Sequence, residues 1–281
     1  MTTVAYQGEI GSNSSTAARA LYPACRELPF TSFEQALEAV TLGAADVAVI
    51  PVDNSAAGRV ADVHHLLPES GLFIVHEFFL PIRFDLVGVP GASLSEVEFV
   101  RSHLHALGQC RKLLREGGWR ALVSDDTAGA AREVAELDDP RHAALAPPAA
   151  ARLFGLQVLR SAVEDDPDNT TRFVALSREA ALAPPVSEPT MTSLFFNVRN
   201  IPSALYKALG GFASSSVNLT KIESYQMGAG LNASRFYAEI EGHPDEPRVE
   251  LALQELRFFS SEVRVLGVYP AHAHRLVGRT G

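Results

Sequence analysis

Val47-Ala48-Val49-Ile50-Pro51-Val52-Asp53-Asn54-Ser55 switches from an unbroken apolar run to three small polar residues. An apolar run without alternation is the pattern of a strand covered on both faces. Strands of that kind are found between helices, so this stretch implies an α/β fold with a largely parallel sheet. Its polar end falls where such sheets bind ligands, off the carboxyl end of a strand.

The same unit recurs outward from this stretch. Upstream, Val4-Ala5-Tyr6-Gln7 and the turn Gly8-Glu9-Ile10-Gly11 lead into Ser12-Asn13-Ser14, which caps a helix through Ala17, Ala18 and Leu21. Thr31-Ser32-Phe33-Glu34 opens a second helix, with Thr31 and Glu34 at capping-box spacing and Gly43 as the stop. Downstream, a helix is expected near Val60 to Leu67 and a strand from Leu72 to Phe79. Leu80-Pro81-Ile82 then interrupts, as where a chain crosses between lobes, before Phe84 to Val89 resumes. Phe99-Val100 precedes Ser102-His103 and one helix carrying Leu107, Cys110, Leu113 and Leu114. Arg120 to Val123 precedes Ser124-Asp125-Asp126-Thr127 and a helix over Ala128 to Leu137. Ala143 to Ala146 precedes Pro147 as first helical residue, and Leu156 to Leu159 is expected to cross back. Thus Ser12 to Ser14, Asn54-Ser55, Ser102-His103 and Ser124 to Thr127 occupy equivalent positions. Converging helix N-termini, each with free N–H groups and about half a positive charge, would hold a small polyanion.

A second polar cluster, Asp166-Pro167-Asp168-Asn169-Thr170-Thr171-Arg172-Phe173, stands at the entrance of the apolar strand Val174-Ala175-Leu176. Arg172 offers a planar fork of donors and the hydroxyls add point donors, a set that can grip a carboxylate. An Asx turn with a solvated arginine is the competing reading.

The bulk properties narrow the function. A chain of 281 residues, 47% of them hydrophobic, is long enough for about two domains with a sizeable core. Two cysteines, Cys25 and Cys110, make no disulfide framework, and the start Met1 to Tyr6 is no signal peptide, so a cytoplasmic location is expected. No apolar window is long enough to span a membrane. The net charge of −9 argues against a nucleic-acid partner. The nine histidines do not pair with cysteines or carboxylates at ligand spacing, so no metal site is expected.

Ser177 to Pro189 reads as a linker. Beyond it, Ser193 to Val198, a helix from Ala204 to Phe212 ending at Gly210-Gly211, strands at Val217 to Tyr225 and Ala233 to Ile240, a helix along Val249 to Phe259 and a strand from Glu262 to Tyr269 follow. That βαββαβ order is ferredoxin-like.

Six segments in order resemble the prephenate dehydratase family: Ala5 to Gly11, Pro51-Val52-Asp53-Asn54-Ser55 with Asp53 for the family's glutamate, Leu80-Pro81-Ile82, Ser102-His103, Thr171-Arg172-Phe173, and Leu219 to Ser224. The last resembles the family's ACT regulatory domain. The resemblance implies a catalytic domain over 1–178, two α/β lobes arranged like a periplasmic binding protein, with lobe one over about 1–79 and 163–178 and lobe two over about 80–162. A linker, 179–190, and an ACT domain, 191–281, complete the chain. It implies a cofactor-free lyase of phenylalanine biosynthesis that converts prephenate to phenylpyruvate, carbon dioxide and water. By residue, it implies catalytic roles for Thr171, Asn54, Ser55 and His103, with Thr171 the donor to the leaving hydroxyl. Substrate contacts fall to Arg172, Phe173, Ser12, Asn13, Ser102 and Thr127. Pro202, Ser203, Ala204, Leu205, Asn218, Leu219, Glu223 and Ser224 are expected to bind the effector L-phenylalanine in a homodimer or homotetramer. Tyr225-Gln226 replaces an arginine and a proline of the family motif there. An arogenate dehydratase and a non-catalytic amino-acid-sensing module are the alternatives.

Overall fold

The first lobe alternates strands and helices as its apolar runs and caps require: β1 (Thr3–Gln7), α1 (Asn13–Leu21), β2 (Arg26–Phe30), α2 (Phe33–Thr41), β3 (Val47–Asn54), β4 (Gly58–Arg59), α3 (Ala61–Leu66) and β5 (Phe73–Pro81). These come from a computed structural model describing residues 1–199, 201–227 and 232–275. β1 pairs in parallel with β2 and β3, and Ala48, Val49 and Ile50 of β3 are fully buried. Ser12 caps α1, its hydroxyl accepting from the Ser15 N–H. The cap of α2 lies at Ser32, which accepts from the Gln35 N–H, whereas the Thr31 hydroxyl donates to the Gln35 side chain. The expected box between Thr31 and Glu34 is therefore not formed. β5 runs through Leu80 and stops only at Pro81, a residue with no N–H to give a ladder.

The second lobe follows as β6 (Asp85–Gly88), β7 (Phe99–Ser102), α4 (Leu104–Gln109), α5 (Arg111–Gly117), β8 (Arg120–Val123), α6 (Thr127–Leu137), β9 (His142–Ala146), α7 (Pro148–Leu153) and β10 (Gln157–Arg160). Its sheet has the order β10-β6-β9-β7-β8, parallel on the β7 side and antiparallel on the β6 side. The single helix expected across Cys110 is broken there, because the Asp165 carboxylate accepts from the Arg111 and Lys112 N–H groups at 2.9 and 3.1 Å and starts a new helix. Cys110 itself is fully buried, and burial, then Asp165 and Glu164, push its thiol up to about 12. Pro148, not Pro147, opens α7. β10 does not cross back but pairs antiparallel with β6. The return is made by β11 (Thr170–Ser177), which lies between β3 and β5 in the first sheet, of order β2-β1-β3-β11-β5.

By packing, residues 1–66 with 78–173 form one unit and 67–77 with 174–281 another. The second contains β12 (Thr190–Val198), α8 (Ala204–Ser214), β13 (Leu219–Met227), β14 (Asn232–Glu241), α9 (Pro247–Phe259) and β15 (Ser260–Pro270). Its antiparallel sheet has the order β13-β14-β12-β15, the ferredoxin-like arrangement. Helix α8 does not end at Gly210-Gly211 but continues to Ser214. A Cβ on Gly211 would stand 2.8 Å from the Glu255 Cβ, so this glycine lets α8 approach α9 rather than stopping the helix. Leu194, Phe196, Phe212, Ile240 and Leu256 fill the core between sheet and helices. Among the described residues no helix is long and apolar enough to cross a membrane.

Candidate active site

Strand β11 decides what faces the cleft. Side chains alternate along a strand, so Thr171 and Phe173 share one face and Arg172 takes the other. Thr171 and Phe173 line a cleft of about 740 Å³ within the first unit, together with Asn13, Asn54, His103 and Thr127 from the expected set and Ser14 beside them. Arg172 is 4% exposed, with its guanidinium 3.5 Å from the Asp53 carboxylate and 6.0 Å from the centre of the Phe79 ring. It is thus buried on the far face of the strand, and the structure does not bring it to the cleft wall where a substrate contact was expected.

Asn54, the last residue of β3, ties this strand to β11. Its Oδ1 accepts from the Ala56 and Ala57 N–H groups at 3.0 and 2.7 Å. Its Nδ2 donates to Asn169 Oδ1 at 2.7 Å and to Thr171 Oγ1 at 2.9 Å. Two backbone donors on one side and two acceptors on the other fix the amide, and they determine the state of Thr171. A hydroxyl that accepts from an amide still has its own proton to give. Asn169 passes the network on, donating to Gln109 Oε1 at 3.0 Å.

Three further residues expected at the site, Ser55, Ser12 and Ser102, are not among those lining the cleft, their hydroxyls being engaged elsewhere. Ser55 accepts from the Thr170 N–H and donates its own N–H to the Thr170 carbonyl, so it clips β11 in place and does not line the cleft. Ser12 is buried as the cap of α1. Ser102 is fully buried and donates to the Leu145 carbonyl at 2.7 Å. At α6, the Asp126 carboxylate accepts from the Ala128 and Gly129 N–H groups at 2.7 and 2.8 Å, so that helix start is already neutralised. Burial holds the Asp126 carboxyl above its usual range despite these two bonds. His103 does face the cleft, but its Nδ1 accepts from the His105 N–H at 3.3 Å and caps α4. Burial and then the neighbouring His105 lower its pKa, so it is held neutral rather than as an imidazolium acid.

The cleft wall also carries residues the sequence reading missed: Gln7, Glu34, Arg59, His105 and Gln109. Glu34 was legible only as a helix-start residue, and Gln109 only as the end of a helix. Among the described residues no three or more His, Cys, Asp or Glu side chains are grouped to hold a metal. In the second unit, Ser203 has φ of +65°, the left-handed conformation glycine favours, and it opens α8. Within the 191–281 segment, Asn200, residues 228–231 and those from 276 onward lie outside the described residues.

A family model, Prephenate dehydratase, matches residues 4–181. The chain belongs to the prephenate dehydratase family. A bifunctional N-acyl-homoserine lactone acylase/prephenate dehydratase of Komagataeibacter europaeus is 44% identical over 97% of each chain. An arogenate dehydratase/prephenate dehydratase of Arabidopsis thaliana is 36% identical over 95% of this chain and 71% of its own length. The crystal structure of prephenate dehydratase in complex with L-Phe from Arthrobacter aurescens superposes with a TM-score of 0.87 at 33% identity, covering 96% of this chain and 90% of that one. Within this prephenate dehydratase family member, the cleft-facing Asn54, Thr171 and Phe173 come from two of the segments that resemble the family's, Pro51 to Ser55 and Thr171 to Phe173.

Proposed function

We propose that this family member is a lyase that converts prephenate to phenylpyruvate, with Thr171 as the donor to the departing hydroxyl. The observation that carries this reading is the direction of the Asn54–Thr171 hydrogen bond, which leaves the threonine proton for the cleft. In the reaction the bond from the ring to its carboxylate breaks, and its electron pair enters the ring. The ring carbon–oxygen bond breaks at the other end, so that the ring becomes aromatic. The carboxylate departs as carbon dioxide, and the hydroxide leaves with a proton supplied through Thr171 from water. Aromatisation drives the step. The protein's task is to hold the dianion and stabilise charge on the leaving oxygen. Phe173, Ile82 and Phe84 make the apolar wall on which a carboxylate is poorly solvated and leaves more readily. The Asn13 and Ser14 N–H groups at the start of α1, and Arg59 on β4, supply donors for the carboxylate that stays. Incubating the protein with prephenate and following phenylpyruvate absorbance in base tests this, and no product at any pH between 6 and 9 overturns it.

The plant relatives are named for arogenate, the amino counterpart of prephenate, and the same steps on arogenate yield phenylalanine directly. The acylase named for the Komagataeibacter relative is a different chemistry, and Thr171 is poorly set for it. A threonine nucleophile needs a base to take its proton, whereas Asn54 Nδ2 is a donor. Release of fatty acid from an N-acyl-homoserine lactone by the wild type, lost in Thr171→Ala, would reinstate it.

The C-terminal unit is proposed as an ACT regulatory domain that binds L-phenylalanine across paired subunits of a homodimer or homotetramer. The left-handed Ser203 at the start of α8 supports a backbone site for the amino acid carboxylate, with Asn218 and Leu219 nearby in sequence on the next strand. The Arthrobacter relative with L-Phe bound supports the effector. Calorimetry on the whole chain with L-phenylalanine should give saturable heat, and a flat titration removes the effector.

A further inference from the structure

We infer that Glu34 is a specificity residue that favours the ammonium-bearing substrate, arogenate, over the keto acid. The inference rests on the dehydratase reading above. Among the described residues lining the cleft, Glu34 is the only carboxylate and Arg59 the only lysine or arginine. Glu34 is the second residue of α2 and is exposed. Among the described residues its carboxylate has no hydrogen-bond or ion-pair partner.

Exposed on this wall, the Glu34 carboxylate is solvated without a protein partner among the described residues, and its charge discriminates between the substrates that enter the cleft. Prephenate brings two negative charges and a neutral keto oxygen that can only accept. A third carboxylate repels such a dianion, and of its groups only the ring hydroxyl, which arogenate shares, can donate to it. Arogenate has the same ring, the same leaving hydroxyl and the same two carboxylates, but carries an ammonium in place of the keto oxygen. That ammonium is a triple donor with a positive charge, the group a carboxylate acceptor recognises. The reaction balances as before: the ring–carboxylate bond and the ring–oxygen bond break and carbon dioxide departs. Hydroxide takes its proton through Thr171, and the ammonium is carried unchanged into phenylalanine.

The competing role for Glu34 is helix stabilisation, since an acidic residue in the first turn of α2 interacts favourably with the helix start. That role is blind to the substrate, so a ratio separates the two. The experiment measures kcat/KM for prephenate and for arogenate with the full chain in wild type, Glu34→Gln and Glu34→Asp, with circular dichroism as the check on folding. Wild type should turn over both, and Glu34→Gln should move the ratio toward prephenate by about ten-fold, the size of one lost charge–charge recognition in a cleft. Glu34→Asp, which keeps the charge, should move it less. A ratio unchanged in Glu34→Gln overturns the inference, as does a wild type that turns over prephenate but not arogenate, which leaves the dehydratase reading standing. A wild type that turns over neither removes that reading itself.

Discussion

Two polar networks in this chain, one part-buried and one buried, are built on opposite principles. In the first unit, Asn54, Asn169, Gln109 and Thr171 form a chain of neutral amides and a hydroxyl, with the threonine proton left over at the cleft. In the second, Arg275 donates to Glu77 at 2.8 and 2.9 Å and to Glu239 at 2.9 Å, and the Tyr237 hydroxyl donates to Glu239 as well. Glu77 and Glu239 have side-chain exposures of 0% and 1%, so the guanidinium is a clip on two buried charges. The neutral network keeps a donor for a ligand, and the charged one closes on itself. Removing a member of the first should therefore cost rate, and of the second stability.

The sharpest break of that contrast is Thr171→Ala. Turnover should fall about 10²–10⁴-fold, as for loss of a key donor to a leaving group, while the denaturation midpoint moves little. Near-wild-type turnover would place the proton elsewhere.

Next comes Arg275→Ala, which leaves two buried carboxylates without their guanidinium. Breaking a buried pair from one side costs about 3–5 kcal/mol, read as a lower denaturant midpoint of the second unit. A shift within experimental error would show that solvent reaches Glu77 and Glu239 as soon as the arginine is gone.

Asn54→Ala belongs between the two regimes. It removes the donor that orients Thr171 and also a tie between β3 and β11. Turnover should fall about 10–10²-fold, the smaller loss expected when a positioning group goes and the donor stays. Restoring part of the rate with Asn54→Gln would mark the amide, rather than packing, as the active feature.

Much of this layout was legible in sequence because it is local. The apolar run Val47 to Val52 announced a covered strand, and its neighbours' caps announced the alternation. The opposed faces of Thr171 and Arg172 were also legible, since strand period two puts adjacent side chains on opposite sides once Thr170 to Leu176 is read as strand. The attraction of an arginine for carboxylates outweighed that period in the sequence reading. What could not be read depends on pairings far apart in the chain. Asp165 breaks a helix at Cys110, 55 residues earlier, and Asn54 reaches Thr171 across 117 residues. No local propensity encodes such a partner.

The smallest expected effect tests whether His103 belongs to the neutral network or only to a helix start. Burial, then the adjacent His105, lower its pKa below the 6.5 of an exposed histidine. The unfolded chain therefore binds more protons at this site between the folded value and 6.5, and stability rises with pH across that window. The contribution is fully present above 6.5 and is lost as pH falls through 6.5 toward the folded value. Protonation also removes the Nδ1 lone pair that accepts the His105 N–H. His103→Asn keeps a capping acceptor but does not titrate. Between pH 7.5 and 5.5 the wild type should thus lose more of its denaturation midpoint than His103→Asn, with turnover at pH 7.5 the readout of any contact to substrate. Equal losses in the two proteins would show that His103 titrates in the folded chain as it does unfolded, and that its place on the cleft wall imposes no desolvation.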